Sequence, residues 1–249
     1  MKLLTLNLWN YQGNWPARRS IITDLITSHS PDAVLLQETR HDFRYAHGVG
    51  QAEQIGRLTH YQVRGAVSQV YVPVLRVDEG LASLTRLTPL RSEVRALQLL
   101  PDARADENRR ICLALELQIN GLRVCVFNTH FSLSARARVS NAHDVLAFAA
   151  EFAGDLPSFL MGDLNAEPHE QAIRDLLSED TGWIDCWASS RPSEPGSTYP
   201  SWGPVRRIDY VLARNVDPRH LRMQTAGESS LDGHFASDHL GILTEYDPP

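Results

Sequence analysis

The sequence has little cysteine and no long hydrophobic run, and both absences exclude classes of protein. Its three cysteines, Cys112, Cys125 and Cys186, are widely spaced, match no zinc-binding pattern and are too few for a disulfide framework. No stretch approaches the roughly 18 to 20 apolar residues that a membrane-spanning helix needs. The first residues, MKLLTLNLWN, are interrupted by asparagines and do not form a signal peptide. We therefore expect a cytoplasmic protein with no stable membrane insertion.

Positive charge is also scarce. The 249 residues include 24 lysines and arginines against 30 aspartates and glutamates, which gives a formal net charge of -6. Proteins that hold duplex nucleic acid mainly by neutralising its phosphates carry a basic excess instead. Tight binding to a duplex is therefore not expected, although a local basic patch is compatible with these totals.

The composition that is present is that of an ordinary globular protein. Hydrophobic residues make up 43% of the chain and charged residues 22%, enough for a sizeable core, and we expect one domain over residues 1–249. Hydrophobic periodicity predicts helices at residues 16–28, 51–58, 134–153 and 169–177, and strands at residues 2–8, 33–37, 81–85, 111–119, 122–128, 157–161, 207–214 and 242–246. Residues 41–77 predict loops with short strands, and polar loops are predicted at 97–108, 189–204 and between the last two strands.

Polar residues follow or precede many of these strands, which is where open α/β sheets place their sites. They are Asn7, Glu38, His130, Asp163, Asn165, Asp209, Asp238 and His239. Each alone has an ordinary explanation as a solvated charge or a turn residue. Together they form an oxygen-rich set with no cysteine, which suits Mg²⁺ or Mn²⁺ better than zinc and indicates phosphate chemistry.

The segments that contain these residues resemble, in order, the motifs of the endonuclease/exonuclease/phosphatase superfamily. They read TLNLWN, LLQET, EGLASLTR, NRRICLALEL, FNTHFS, MGDLNAEP, RRIDYVL and SDHLG along the chain. The resemblance covers the sequence from end to end. It implies a deoxyribonuclease I-like, four-layer α/β sandwich, in which two mixed β-sheets pack face to face with helices outside.

The resemblance also implies roles for the residues on the metal side of the site. Glu38 is similar to the family's metal-binding glutamate, and Asn7 to the residue that holds this glutamate or the substrate phosphate. Asp238 resembles a further metal-site carboxylate. Mg²⁺ is the implied cofactor, with Mn²⁺ as a substitute.

Further roles concern the attacking water and the phosphate. Asp163 resembles the residue that positions or deprotonates the water, and Asn165 its phosphate-orienting partner. Asp209 and His239 resemble a pair in which the carboxylate fixes the imidazole that contacts the scissile phosphate. Which group is the general base stays open.

Three residues narrow the branch of the family. His130 in NTHF is similar to the branch of deoxyribonuclease I and the sphingomyelinases, where a glutamate pairs with this histidine. Glu79 lies where that glutamate is expected, so we predict a Glu79–His130 pair that protonates the leaving oxygen. Arg110 matches a strand arginine that reaches a phosphate, although a surface charge is the alternative.

Some weaker candidates surround this set. Five aromatic residues are compatible either with stacking on substrate at the mouth of the site or with ordinary packing, namely Trp9, Tyr11, Trp15, Tyr199 and Trp202. Four arginines are compatible either with a patch facing phosphate or with solvated surface charge, namely Arg136, Arg138, Arg206 and Arg207.

The resulting functional hypothesis is a monomeric, metal-dependent phosphodiesterase, a nuclease of the endonuclease or exonuclease type. The partner would be nucleic acid. A phosphatase or phosphodiesterase for a small-molecule or lipid phosphoester, such as sphingomyelin, is the alternative, because the chain is acidic. A non-catalytic binding protein on the same fold is a remote second class.

Overall fold

The structure is a computed structural model that describes residues 1–72, 74, 77–100 and 106–248. Its strands are β1 (Lys2–Asn7), β2 (Ala33–His41), β3 (Gln62–Val72), β4 (Val77–Thr85), β5 (Arg91–Ala96), β6 (Ile111–Ile119), β7 (Leu122–His130), β8 (Ser158–Asp163), β9 (Trp183–Asp185), β10 (Asp209–Arg214), β11 (Leu221–Ala226) and β12 (Gly241–Tyr246). Its α-helices are α1 (Trp15–His29), α2 (Gln51–Thr59), α3 (Ala135–Ala153), α4 (Gln171–Leu176) and α5 (Cys186–Ser190).

The strands form two sheets of similar plan. The first sheet has six strands in the order β11-β12-β1-β2-β4-β3, and the second has six in the order β5-β6-β7-β8-β10-β9. Each is mixed, because β1 with β2 and β7 with β8 are parallel while their other neighbours are antiparallel. The sequence explains this placement, since the central strands are near-continuous apolar runs that need cover on both faces.

Three buried clusters define the layers. One joins the inner faces of both sheets, with Leu3 and Leu35 of the first sheet against Leu113 and Val126 of the second. Another packs α3 and α4 on the outside of the second sheet. The third packs α1 and α2 on the outside of the first sheet. The predicted four-layer sandwich, with two mixed sheets between helices, is therefore confirmed.

The elements at the sheet edges differ from the prediction. The long strand β3 replaces the short strands predicted in residues 41–77, and β11 lies within a segment predicted as a polar loop. In the segment predicted as exposed at 97–108, Leu97 and Asp106 are buried, while 101–105 lie outside the described residues. Residues 189–204 include the end of α5 and the buried Thr198 and Ser201.

Disulfide bonds and membrane-spanning helices are absent from the described residues. Cys112, Cys125 and Cys186 are all free and buried. Within the described ranges, no helix is both long and apolar enough to cross a membrane.

Candidate active site

The predicted site residues meet because the central strands of both sheets end at the same edge of the sandwich. Asn7 closes β1, while His130 and Asp163 close β7 and β8 and face each other in the β7–β8 register. Asp209 opens β10, where it pairs in register with Asp163. Glu38 lies in β2, one residue beyond the partner of Asn7. Asp238 and His239 lie in the loop just before β12, and Arg110 directly precedes β6.

A β-bulge sets the direction of the Glu38 side chain. The pairing of β2 with β4 shifts register between Leu36 and Thr39, and Glu38 has a φ of 51° in the left-handed region. Such a conformation is costly for a residue with a side chain and concentrates at functional sites. It directs the carboxylate towards two amides, because Asn7 Nδ2 donates to Oε1 at 3.1 Å and Asn10 Nδ2 to Oε2 at 3.3 Å.

The chemistry of this corner fits a divalent cation. Glu38, Glu79 and Asp238 bring three carboxylates together, and burial, added to by the Glu38 charge, raises the pKa of both Glu79 and Asp238. In the described part of the chain, only the two amides donate to Glu38. The buried guanidinium of Arg18 gives its hydrogen bonds to backbone carbonyls. Glu79 is paired with Arg40, so Glu38 and Asp238 are the carboxylates that would hold Mg²⁺, which prefers oxygen ligands.

Asn7 donates hydrogen bonds to one carboxylate from each sheet. Its Nδ2 also donates to Asp163 Oδ2 at 3.0 Å, and its Oδ1 accepts from the backbone N–H of Trp9 at 2.9 Å. Since the amide oxygen is directed at Trp9, the geometry favours the holding role predicted for Asn7 over its role as a metal ligand. Its predicted contact with phosphate stays a prediction.

Asp163 lies at the centre of the site and is 1% exposed. The backbone N–H of Asn165 donates to its Oδ1 at 2.9 Å. Burial raises the pKa of the Asp163 carboxyl to about 7, and the neighbouring Asp209 carboxylate adds to the rise. A carboxylate whose pKa is near neutrality can accept a proton from a reacting group at working pH.

Asp209 and His239 form the predicted pair. His239 Nδ1 lies 2.9 Å from Asp209 Oδ2, which also accepts from Thr198 Oγ1 at 2.5 Å. Burial lowers the pKa of the His239 imidazolium, but Asp209 and Asp163 more than offset this and raise it to about 10. The ring is thus held charged, with Nε2 at 3.8 Å from Asp163 Oδ2.

The trio of Asp163, Asp209 and His239 is also a possible metal-binding group. One ligand atom of each lies within 4.8 Å of the others, and all three residues are buried. Nδ1 of His239 is already engaged with Asp209, however, and is therefore not free to bind a metal ion.

His130 has a partner that the sequence did not indicate. Its Nδ1 lies 3.0 Å from Arg110 Nη1, and Arg110 in turn donates to Asp106 Oδ2 at 2.7 Å. Since a guanidinium only donates, Nδ1 must accept, and the hydrogen of a neutral ring is on Nε2. Burial, followed by the Arg110 charge, holds the pKa of His130 well below its ordinary value. His130 is therefore a neutral ring that presents an N–H to the site.

The side-chain amide of Asn165 lies beside the His130 ring. Asn165 Nδ2 lies 3.0 Å from His130 Nε2 and donates to the carbonyl of Phe131 at 3.0 Å, which fixes the amide with its nitrogen towards the ring. When Nδ1 accepts from Arg110, the Nε2–H of His130 is a donor, and Asp163 Oδ2 is an acceptor 3.5 Å from it. The phosphate-binding role of Asn165 stays a prediction.

The predicted Glu79–His130 pair is wrong. Glu79 Oε2 accepts from Arg40 Nη2 at 3.0 Å, and His130 Nδ1 faces Arg110. Arg110 is 9% exposed and belongs to the site through His130, not to the surface. Asp106, which anchors Arg110, was missed because it lies in a polar segment with no strand pattern. Its only sequence signal was the spacing of four residues from Arg110.

Of the five aromatic candidates, two lie in the core and three lie near the site. Tyr11 and Trp15 pack edge to face inside the core cluster of the first sheet, and Tyr199 lies over the His239 ring at 5.0 Å. Trp9 and Trp202 are neighbours, with ring centroids 6.5 Å apart. Three of the four arginines pair with carboxylates: Arg138 with Glu170, Arg206 with Glu167 and Arg207 with Asp185. A patch that faces phosphate stays a prediction.

The sequence is similar to a family model and to a curated protein. The family model described as "Endonuclease/Exonuclease/phosphatase family" matches residues 4–239. A curated relative, Nocturnin of Drosophila melanogaster, is 27% identical over 172 residues, which are 67% of this chain but 26% of that protein. The chain thus spans about a quarter of the length of the curated relative it matches.

Solved structures share the fold. The human Nocturnin catalytic domain with bound sulfate superposes with a TM-score of 0.77 at 20% identity, covering 100% of this chain and 94% of that one. A mannosyl-6-phosphatase of Bacteroides thetaiotaomicron gives a TM-score of 0.74 at 19% identity, covering 98% of each chain. At these identities the likeness establishes the fold alone.

Proposed function

Because the chain belongs to the endonuclease/exonuclease/phosphatase family, we propose that it is a Mg²⁺-dependent phosphodiesterase of the nuclease type, with Mn²⁺ as a possible replacement. Members of this family are hydrolases of phosphate esters and depend on a divalent metal, and this chain is accordingly a phosphate-ester hydrolase. The identity of the metal, the roles of the residues and the polymeric substrate are the proposed part.

The observation that carries the proposal is that the metal-binding carboxylate and the two histidines meet around one buried carboxylate, Asp163. Asn7 Nδ2 donates to both Glu38 and Asp163, at 3.1 and 3.0 Å. The Nε2 atoms of His130 and His239 lie 3.5 and 3.8 Å from Asp163 Oδ2. A metal site, a proton acceptor and an anion-binding point are the parts that hydrolysis of a phosphate ester needs.

Different residues bind the metal ion and accept the proton. Bound at Glu38 and Asp238, the cation would polarise the phosphoryl oxygen. Asp163 is held in place through both of its oxygens, by Asn7 and by the Asn165 backbone, and it accepts the proton of the attacking water.

Two histidines stabilise the charge that develops on the phosphate. His239, held as imidazolium by Asp209, places a positive charge beside it. Neutral His130 donates a hydrogen bond from Nε2, together with Asn165, and so stabilises an oxygen without transferring a proton. This revises the acid role predicted for His130 with Glu79.

The proposed substrate is a phosphodiester in a nucleic acid, and a small-molecule or lipid phosphoester is the alternative. The net charge of -6 favours single-stranded over duplex nucleic acid.

The proposal is tested with a hydrolysis panel in Mg²⁺, Mn²⁺ or EDTA. The substrates are bis-p-nitrophenyl phosphate, p-nitrophenyl phosphate, plasmid DNA, single-stranded DNA, RNA and sphingomyelin. We expect metal-dependent cleavage, with single-stranded nucleic acid ahead of plasmid. Asp163→Asn should reduce turnover about 10²- to 10⁴-fold, the range that a general base contributes.

Glu38→Gln tests the metal site separately. It should weaken Mn²⁺ binding in calorimetry and abolish turnover, while the matched control Glu245→Gln, in an exposed pair with Lys2 at the other end of β12, should change neither. Full turnover in Glu38→Gln would refute the assigned site. Activity confined to p-nitrophenyl phosphate or sphingomyelin would move the substrate to the small-molecule or lipid alternative.

A further inference from the structure

Three aromatic side chains form a surface beside the site that the proposed chemistry does not use. Trp202 lies between Trp9 and Phe235, with ring centroids 6.5 and 6.3 Å away and ring planes tilted by 52° and 57°. Trp202 is 57% exposed, and the other two are partly exposed. We refer to these three residues as the aromatic shelf. A large exposed ring among further rings marks an interaction site more often than ordinary surface.

Each residue of the shelf is close, by hydrogen bonding or in sequence, to Asn7 or Asp238. The backbone N–H of Trp9 donates to Asn7 Oδ1 at 2.9 Å. Ser201, next to Trp202, donates its backbone N–H to the carbonyl of Asp238 at 2.7 Å. Phe235 precedes Asp238 by three residues. The shelf therefore adjoins the corner formed by Glu38 and Asp238.

The shelf is held rigidly before any ligand binds. Arg18 is 2% exposed and lies 5.2 Å from the Trp9 ring centroid. Its guanidinium donates to the carbonyls of Asn10 and Gln12 on one loop, at 3.1 and 2.6 Å, and to that of Ala236 on the other, at 3.0 Å. Because these two loops are already tied together, a ligand that binds to the shelf has less conformational entropy to remove.

We propose that the aromatic shelf stacks a nucleobase attached to the phosphate that the site binds. This rests on the proposed function and deepens it, because it names the group next to the scissile phosphate. Aromatic rings stack on any base through its π-face. A sugar would need free polar groups around the ring, whereas the carboxylates of the cavity behind Trp202 are engaged: Glu194 with Arg191 at 2.7 Å, and Glu228 with Thr225.

The test compares ligands that differ only in the base. Calorimetry in Mg²⁺ measures the Kd of AMP and of ribose 5-phosphate for the wild-type chain, with mannose 6-phosphate as the sugar competitor. AMP should bind about tenfold more tightly than ribose 5-phosphate. Trp202→Ala should bring this ratio to about one, and Trp202→Phe should keep most of it.

Leu58→Ala, an exposed apolar residue on α2, is the control that should leave both Kd values unchanged. Circular dichroism shows whether each variant is folded. Equal binding of AMP and ribose 5-phosphate to the wild type would overturn the base site even if the hydrolysis panel succeeds. Tighter binding of mannose 6-phosphate that depends on Trp202 would overturn it in favour of a sugar. A Trp202-dependent preference for AMP without any metal-dependent hydrolysis would retain the base site and refute the proposed function.

Discussion

At the scale of single residues, the charge on His239 is the most consequential feature of the site. The ring is 6% exposed, and desolvation alone would favour its neutral form. The nearby carboxylates of Asp209 and Asp163 reverse that preference and raise the pKa of His239 to about 10. The same pair of carboxylates would be self-repelling without the ring, so the imidazolium stabilises the folded site as well as preparing it for phosphate.

This charge predicts how stability depends on pH. An unfolded histidine has a pKa of about 6.5. Because the folded pKa is higher, the contribution of His239 to stability is fully present below pH 6.5 and is lost as pH rises through about 10. In EDTA, the difference in unfolding free energy between wild type and His239→Asn should shrink by roughly 2 to 5 kcal/mol across this window.

Urea denaturation at half-unit pH steps measures that difference. Tyrosine, cysteine and lysine titrations occur in both proteins and cancel. If the two stability curves stay parallel from pH 6.5 to 10, His239 is not charged in the folded state, and the assigned role fails.

Much of the site could be predicted residue by residue, but not the polar groups behind it. Glu38, Asp163, Asp209 and His239 lie at or near the ends of predicted strands, and the fold brings these ends together, so their grouping follows from the pattern. The partner of His130 depends on which side chain approaches from the neighbouring strand. Glu79 was the predicted one, and Arg110 occupies that place because Asp106 anchors it there.

At the scale of elements, backbone geometry directs the side chains of the site. Gly162 pairs with Thr129 where β7 and β8 run parallel, and it has a φ of 145°. A Cβ at Gly162 would lie 2.0 Å from the Thr129 carbonyl oxygen. This close approach keeps β8 against β7 next to His130 and Asp163, and it explains the glycine of the MGDLN segment.

The approach makes a substitution at Gly162 far more damaging than at an open glycine. Gly162→Ala should destabilise the chain by about 3 kcal/mol or more, since it combines an unfavourable φ with a backbone clash. Gly203→Ala, at a position without a positive φ and with nothing within 4 Å, should change stability by no more than about 0.5 kcal/mol. Thermal unfolding measures both. Equal losses would show that β8 moves away from β7 at little cost.

Strands were predicted well where they are central and poorly where they are at an edge. β6 begins and ends as predicted, since it is buried along most of its length. β3 and β5 are largely exposed, and their sequences, QVRGAVSQVYV and RSEVRA, have few apolar residues in alternation. Pairing with a neighbour stabilises such edge strands, and a single sequence contains no record of that neighbour.

At the scale of the whole molecule, the two sheets share one core, and the site lies between them. Phe159 and Met161 of the second sheet pack in one cluster with Leu3 and Ile242 of the first. Asn7 donates across the interface to Asp163, as Gln37 does to Asn128 at 2.7 Å. Separating the sheets would expose this core and dismantle the site. We therefore infer that the chain folds as a single domain, as its length and composition predict.

A single domain predicts one cooperative unfolding transition with an enthalpy of about 170 kcal/mol near 60 °C, from about 0.7 kcal/mol per residue. The two outer layers can be followed separately, because Trp15 packs outside the first sheet and Trp183 outside the second. Difference fluorescence between the wild type and Trp15→Phe or Trp183→Phe should give midpoints equal to that from far-ultraviolet circular dichroism. Two calorimetric peaks, or midpoints that separate by layer, would show that the sheets unfold independently. In that case the bond from Asn7 to Asp163 would join two domains, and the metal corner and the phosphate-binding donors could move apart.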